Sequence, residues 1–343
     1  MKFDSLLLVP QMAQIPEVVK EAEAVGFDGF FTAETNSDPF LSLTLAAEHS
    51  KNIQLGTAIA VTFPRSPAIL AMLAWNLAAF SNGRFLLGLG TQVRAHNERR
   101  LGAKWEKPVR KMRETIEAMH AIWDNWQDGT PLNYEGEFFK LNLMTPFFAP
   151  PPLKTGKPPV YIAAVNELML RLVGKRCDGG FIHSFHTVKY LQEYARPSVE
   201  KGLMQTERQW SDVNLASVIF AVPTDGSKPA SFYEQFVKQQ ISFYMSTPAY
   251  RIVVELHGWE ETAYTLSKMA RKGAWDEMPN LITDEMLSEM AISGSWSELP
   301  RIAVERYDGL LDRIGYYIPF DPAEKDEWAQ TLTSFREVVG SSA

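Results

Sequence analysis

Asn82-Gly83-Arg84-Phe85-Leu86-Leu87-Gly88-Leu89-Gly90-Thr91 is a turn dipeptide, a short apolar run and a glycine-spaced exit. The run is too short for a helix and too continuously apolar for a half-exposed strand. It suits a strand covered on both faces, as in a parallel sheet. Working outward, the same unit recurs. Phe3–Val9 reads as a strand followed by a helix over Ile15–Val25, with Pro16 in the first turn and Gly26 at the cap. Gly29–Thr32 precedes a helix from about Asp38 to Ser50, and Ile53–Ala60 precedes one that begins near Pro67. After Phe85–Leu89 comes a long helix over about Pro108–Trp126. Val160–Ala164, Gly180–His183, Val213–Val222 and Ile314–Ile318 supply strands five to eight, with helices at Leu168–Cys177 and Val188–Lys201 between them. A terminal helix is expected from about Ala323.

Eight strands, mostly separated by helices, predict a closed (β/α)8 TIM barrel, in one domain spanning residues 1–343. Two stretches break the rhythm. Residues 127–159 hold a hairpin pattern turning at Glu135-Gly136 and then a proline-rich excursion. Residues 228–290 read as a mostly helical insertion, after which Ser295-Trp-Ser-Glu298 has capping-box spacing.

Bulk properties narrow the function classes. The 343 residues carry a net charge of −7, which argues against nucleic acid or an acidic membrane surface as partner. No apolar run approaches a membrane span, and Leu6–Val9 is too short for a signal segment, so the expected location is the cytoplasm. The one cysteine, Cys177, excludes an internal disulfide and reads as packing.

In a barrel of this kind the catalytic groups follow the C-terminal ends of the strands. After strand two, Glu34 can face the site as acid, base or cofactor ligand, while Asp38 before Pro39 is placed to cap the next helix. In strand three, Leu55-Gly56-Thr57-Ala58-Ile59-Ala60 offers small residues to a flat ring, although chemistry alone favours core packing there. After strand four, Thr91, Gln92 and His96 sit in the densest polar segment of the chain. His96, an imidazole, is a candidate proton carrier, whereas Arg99 and Arg100 read as solvated. After strand five, Ala163, Ala164 and Asn166 lead into a helix start that suits a phosphate. His183 and His186 stand at the rim after strand six, with no third metal ligand evident and no metal expected.

Taken together, Leu55-Gly56-Thr57-Ala58-Ile59, Gly83 to Thr91, Tyr134-Glu-Gly-Glu-Phe-Phe139, Pro159 to Ala164, Asp178-Gly-Gly-Phe181 and Ser293-Gly-Ser-Trp296 resemble the luciferase-like monooxygenase superfamily. The likeness is nearest to its branch that uses the deazaflavin coenzyme F420. It implies a non-prolyl cis peptide at Ala58–Ile59 behind the deazaflavin ring, the ring near Glu34, Thr91 and Gln92, and the cofactor phosphate near Ala163, Ala164 and Asn166. It implies hydride transfer to or from a small organic substrate, in a protein expected to be a homodimer. An FMN-dependent monooxygenase and a catalytically silent flavin-binding protein are the alternatives. Gln92-Val93 stands where sugar-phosphate dehydrogenases of this group carry a catalytic Glu, and Glu34-Thr35 where they carry Asp-His. Sugar-phosphate specificity therefore does not carry over, and His96 and Glu34 become the candidate catalytic residues.

Overall fold

The computed structural model describes residues 1–7 and 11–341. Eight parallel strands close on themselves: β1 (Lys2–Leu7), β2 (Gly29–Thr32), β3 (Gln54–Thr57), β4 (Phe85–Gly90), β5 (Val160–Ala164), β6 (Gly179–Ile182), β7 (Asn214–Pro223) and β8 (Arg313–Tyr316). Each strand pairs with the next, and β8 returns to β1 through Lys2↔Arg313 and Phe3↔Ile314. This is the expected TIM barrel. The final residues of the expected first strand, Leu8 and Val9, lie outside the described residues.

Alternation along the strands sorts side chains into two sets. One packs outward under the helices. The other fills the barrel: Leu6, Phe31, Leu86, Tyr161 and Ala216, with Ala58, Phe181 and Val218 against them. Phe31 on β2 and Phe181 on β6 meet across the interior, ring centroids 5.8 Å apart, which identifies this set as inward-facing.

The turn before β4 works as its sequence suggests. Gly83 takes a φ of +82°, and Arg84 donates to the carbonyls of Ala47, Ser50 and Ile53, collecting the end of the helix Pro39–His49. A cation there also offsets the negative helix end. Asp38 caps that helix through the Phe40 amide at 2.9 Å. The Ser295–Glu298 capping box forms, Glu298 accepting from the Ser295 amide at 2.9 Å, though the helix proper runs from Leu299 to Tyr307.

Several elements depart from expectation. The third strand is not continuous: β3 stops at Thr57, and a second piece, Ala60–Val61, pairs with Leu89 and Gly90. The helix after β6 is interrupted by a π-helical turn, Leu191–Ala195, just ahead of Pro197, which has no N–H to continue the ladder. The hairpin pairs Glu135 with Lys140, so its turn lies after Glu135-Gly136 rather than on it. The insertion holds helices Ala230–Met245, Arg251–His257, Glu260–Lys272 and Asp284–Met290, and then an unexpected strand, Ala291–Gly294, that extends the C-terminal half of β7. No described helix is long and apolar enough to cross a membrane.

Candidate active site

The C-terminal mouth of the barrel divides into two halves. On the first, β3, β4 and β5 end side by side. Following the inward set one step beyond Gly56, Gly88 and Tyr161 gives Ala58, Gly90 and Ala163. These are small; Ala58 and Ala163 are partly exposed, while Gly90 is buried beneath the Ile59 side chain. The strand backbones approach closely here. A Cβ at Gly88 would lie 1.9 Å from the Thr57 carbonyl oxygen, and one at Gly90 would lie 2.4 Å from the Ile59 side chain. The Thr57 hydroxyl donates to the Gly88 carbonyl at 2.6 Å and accepts from the Gly88 amide at 2.9 Å, locking β3 to β4. Beyond Thr57 the peptide between Ala58 and Ile59 is cis, as the resemblance implies.

Glu34, from the end of β2, braces this segment. Its amide donates to the Ile59 carbonyl at 3.2 Å, and its carboxylate accepts from the Val61 amide at 2.7 Å. The same oxygen takes a 2.7 Å ion pair from Arg65, whose other terminal nitrogen reaches Asp38 at 2.6 Å. Both members of the Glu34–Arg65 pair are largely buried. Arg65 escaped the sequence reading. It lies 31 residues from Glu34, and no spacing rule links the two.

After β4, Gln92 adopts a left-handed φ of +56°, and Thr91 donates through its hydroxyl to the Gln92 carbonyl. A short helix, Arg94–Arg99, follows within this polar segment. Asn97, also missed, is fully buried and donates to the Thr91 and Val93 carbonyls at 2.8 and 3.1 Å, which fixes the loop. His96 stands on the exposed face of this helix, and no described side chain bonds to its ring. After β5 the helix Glu167–Arg176 starts behind Asn166. The Asn166 side chain makes no cap bond, and the Glu167 amide donates to the Tyr194 hydroxyl. The Asn166 and Leu168 amides find no partner among the described residues. Glu167 turns away toward Arg171 and Lys201, which removes the negative charge from this helix start.

The second half of the mouth is aromatic. His183 follows β6 and Tyr317 follows β8. The insertion covers them with Tyr244 and Tyr250, each ring centroid 4.4 Å from that of His183. Burial pushes His183 down to about 3 and His186 to about 4, so both imidazoles stay neutral through the physiological range. Each commits Nδ1 locally: His183 accepts from the Phe185 amide and His186 meets the His183 carbonyl. Cys177 is buried, with its thiol pushed up by desolvation, in keeping with packing.

A cavity of about 600 Å³ opens at the opposite, N-terminal end, lined by Lys2, Gln54, Tyr161, Arg208, Asn214 and Arg313 among others. It is remote from the strand ends where barrels carry chemistry, so the mouth remains the candidate active site.

The comparisons agree with this geometry. A family model described as luciferase-like monooxygenase matches residues 2–312. An uncharacterized protein of Mycobacterium tuberculosis is 42% identical over 305 residues, 89% of each chain. The 5,10-methylenetetrahydromethanopterin reductase of Archaeoglobus fulgidus is 29% identical over 301 residues, 84% of each. The solved coenzyme F420-dependent tetrahydromethanopterin reductase of Methanopyrus kandleri superposes with a TM-score of 0.77 at 23% identity, over 99% of both chains. The chain belongs to the luciferase-like monooxygenase family and is an oxidoreductase of that family.

Proposed function

We propose that this oxidoreductase binds coenzyme F420 in the β3–β5 half of the mouth and uses it to move a hydride to or from a small organic substrate. The observation that carries the reading is the floor made by Ala58, Gly90 and Ala163 on three adjacent strand ends. A flat tricyclic ring would lie over Ala58 and Ala163, with the Ile59 side chain packed on Gly90. When bound, the deazaflavin supplies a two-electron hydride carrier, and the protein's task is to orient it and manage one substrate proton.

In this reading Ala58 and Ile59 back the ring, and Thr91 and Gln92 flank it. Glu34 serves by holding the Ala58–Val61 segment in place through Val61 and Arg65. The cofactor phosphate lies at the helix start behind Ala164, where the free Asn166 and Leu168 amides and the positive helix end favour an anion. His96, on the helix that follows the ring site, carries the substrate proton.

Titration of the purified protein with F420 and with FMN, followed by cofactor absorbance, tests the assignment. F420 is expected to bind the more tightly; FMN as the tighter ligand would move the protein to the monooxygenase reading. Asn166→Pro removes an amide donor and is expected to weaken cofactor binding by about tenfold or more. Unchanged affinity would place the phosphate elsewhere. His96→Ala is expected to lower kcat by about 10²-fold with cofactor affinity intact. Near-normal turnover in that variant would remove His96 from the mechanism.

A further inference from the structure

The aromatic half of the mouth carries more polar capacity than packing needs. The inward alternation passes from Phe181 to His183 and from Gly315 to Tyr317, so both side chains project over the barrel axis. The insertion brings Tyr244 and Tyr250 against them, and all four residues remain partly exposed. Phe220 and Phe236 back the Tyr317 ring at 5.2 and 6.1 Å.

The Tyr244 and Tyr317 hydroxyls lie 2.8 Å apart, and a bond between two hydroxyls uses one of their two hydrogens. One O–H is left to donate. At His183 the Phe185 amide points at Nδ1 from 3.0 Å. A backbone N–H only donates, so Nδ1 is the lone-pair nitrogen, and a neutral ring then carries its hydrogen on Nε2. Nε2 has no partner among the described residues, and neither has the Tyr250 hydroxyl. The result is three uncommitted donors on rings in mutual contact. Among the described residues no carboxylate or cation is hydrogen-bonded to any of the four side chains.

We propose that this cluster is the substrate-recognition site and selects a planar, uncharged group bearing a hydrogen-bond acceptor, such as a carbonyl or an aromatic nitrogen, held by Tyr250, His183 and the Tyr244–Tyr317 pair. Aromatic faces receive the planar part; one or two of the three donors receive the acceptor atom. The free hydrogens call for an acceptor atom, and among the described residues no cationic side chain is hydrogen-bonded to the cluster to pair with an anion. The inference rests on the mouth being the active site of the proposed oxidoreductase, and it makes the insertion the determinant of specificity.

The test uses acetophenone and its hydrocarbon isostere isopropenylbenzene, titrated by calorimetry into the protein saturated with the oxidised cofactor, F420 or FMN, that it binds. The carbonyl carbon of isotope-labelled acetophenone is followed by NMR in parallel. The ketone is expected to bind about tenfold or more tightly than the isostere, with its carbonyl resonance moved downfield by the donors. Tyr250→Phe and the double variant Tyr244→Phe/Tyr317→Phe, which removes the free O–H of the pair, each checked for an unchanged melting temperature, are expected to reduce both effects. Equal affinity for the two probes, no binding of either, or a carbonyl shift that survives both variants would overturn the inference. Failure to bind either cofactor is a separate result: it overturns the oxidoreductase reading, and the recognition site falls with it.

Discussion

Glu34 shows how a residue legible by position alone acquires its role from a partner that the sequence does not reveal. Its place after β2 marks it for the mouth, but what it does there is set by Arg65, which neutralises it and ties it to Asp38. Arg65→Met leaves Glu34 largely buried beside Asp38 without a countercharge. It is expected to cost about 2–4 kcal/mol, below the full value for a deeply buried pair because the pair keeps some solvent. It should also weaken cofactor binding, because the Ala58–Val61 segment loses its brace. A chemical melt and a cofactor titration of the same variant read both effects. His183 and His186 make a pH prediction. Their folded values, about 3 and about 4, lie below the unfolded value of about 6.5. As pH falls below about 6.5 the unfolded chain takes up protons that the folded chain refuses, so stability is complete above that pH and is lost down to the folded values. Each histidine contributes a slope of up to about 1.4 kcal/mol per pH unit. His186→Phe should shallow the decline between about pH 6 and 4, read by denaturant melts across that range.

At the scale of elements, strands were readable where both faces are covered. Phe85–Gly90 and Val160–Ala164 appear as uninterrupted apolar runs because they face the barrel on one side and helices on the other. The extra strand Ala291–Gly294 was not readable. It is four residues long, follows a helix directly, and owes its conformation to pairing with the overhanging half of β7. The short helix at His96 was hidden for a similar reason. It has no apolar stripe and is held by the bonds of one buried asparagine. The site's small-residue floor was visible as glycines and alanines, but sequence alone could not separate a ligand cradle from core packing. Backbone proximity accounts for the two glycines by packing, since neither Gly88 nor Gly90 has room for a Cβ. Gly88→Ala would push a methyl into the Thr57 carbonyl and is expected to destabilise by more than about 2 kcal/mol, while Gly340→Ala, with nothing within 4 Å, is expected to be neutral or mildly stabilising. Paired thermal melts check the contrast.

On the scale of the whole molecule, the two ends of the barrel do different work. At the N-terminal end Arg313 donates twice to Asp4, at 2.8 and 2.6 Å, and once to Gln54 at 2.7 Å, tying β8 to β1 and β3. Asp4→Ala leaves a buried guanidinium half-paired and is expected to cost about 3–5 kcal/mol. Its cofactor affinity, measured well below the melting temperature, should match the native protein. The C-terminal end carries the small-residue floor, the helix start and the aromatic wall. That division was legible in outline, because barrel topology assigns chemistry to one end before any side chain is placed. The aromatic wall was not, because Tyr244 and Tyr250 come from an insertion whose docking no periodicity reports. The assignment of a deazaflavin ring to the floor of Ala58, Gly90 and Ala163 is read by the dissociation constant of F420 beside that of FMN, in the native protein and in Ala163→Phe. Tight F420 binding, weaker FMN binding, and loss of F420 binding by about a hundredfold or more when the phenyl ring fills the floor are expected. F420 binding unaffected by Ala163→Phe, or absent from the native protein, would contradict it.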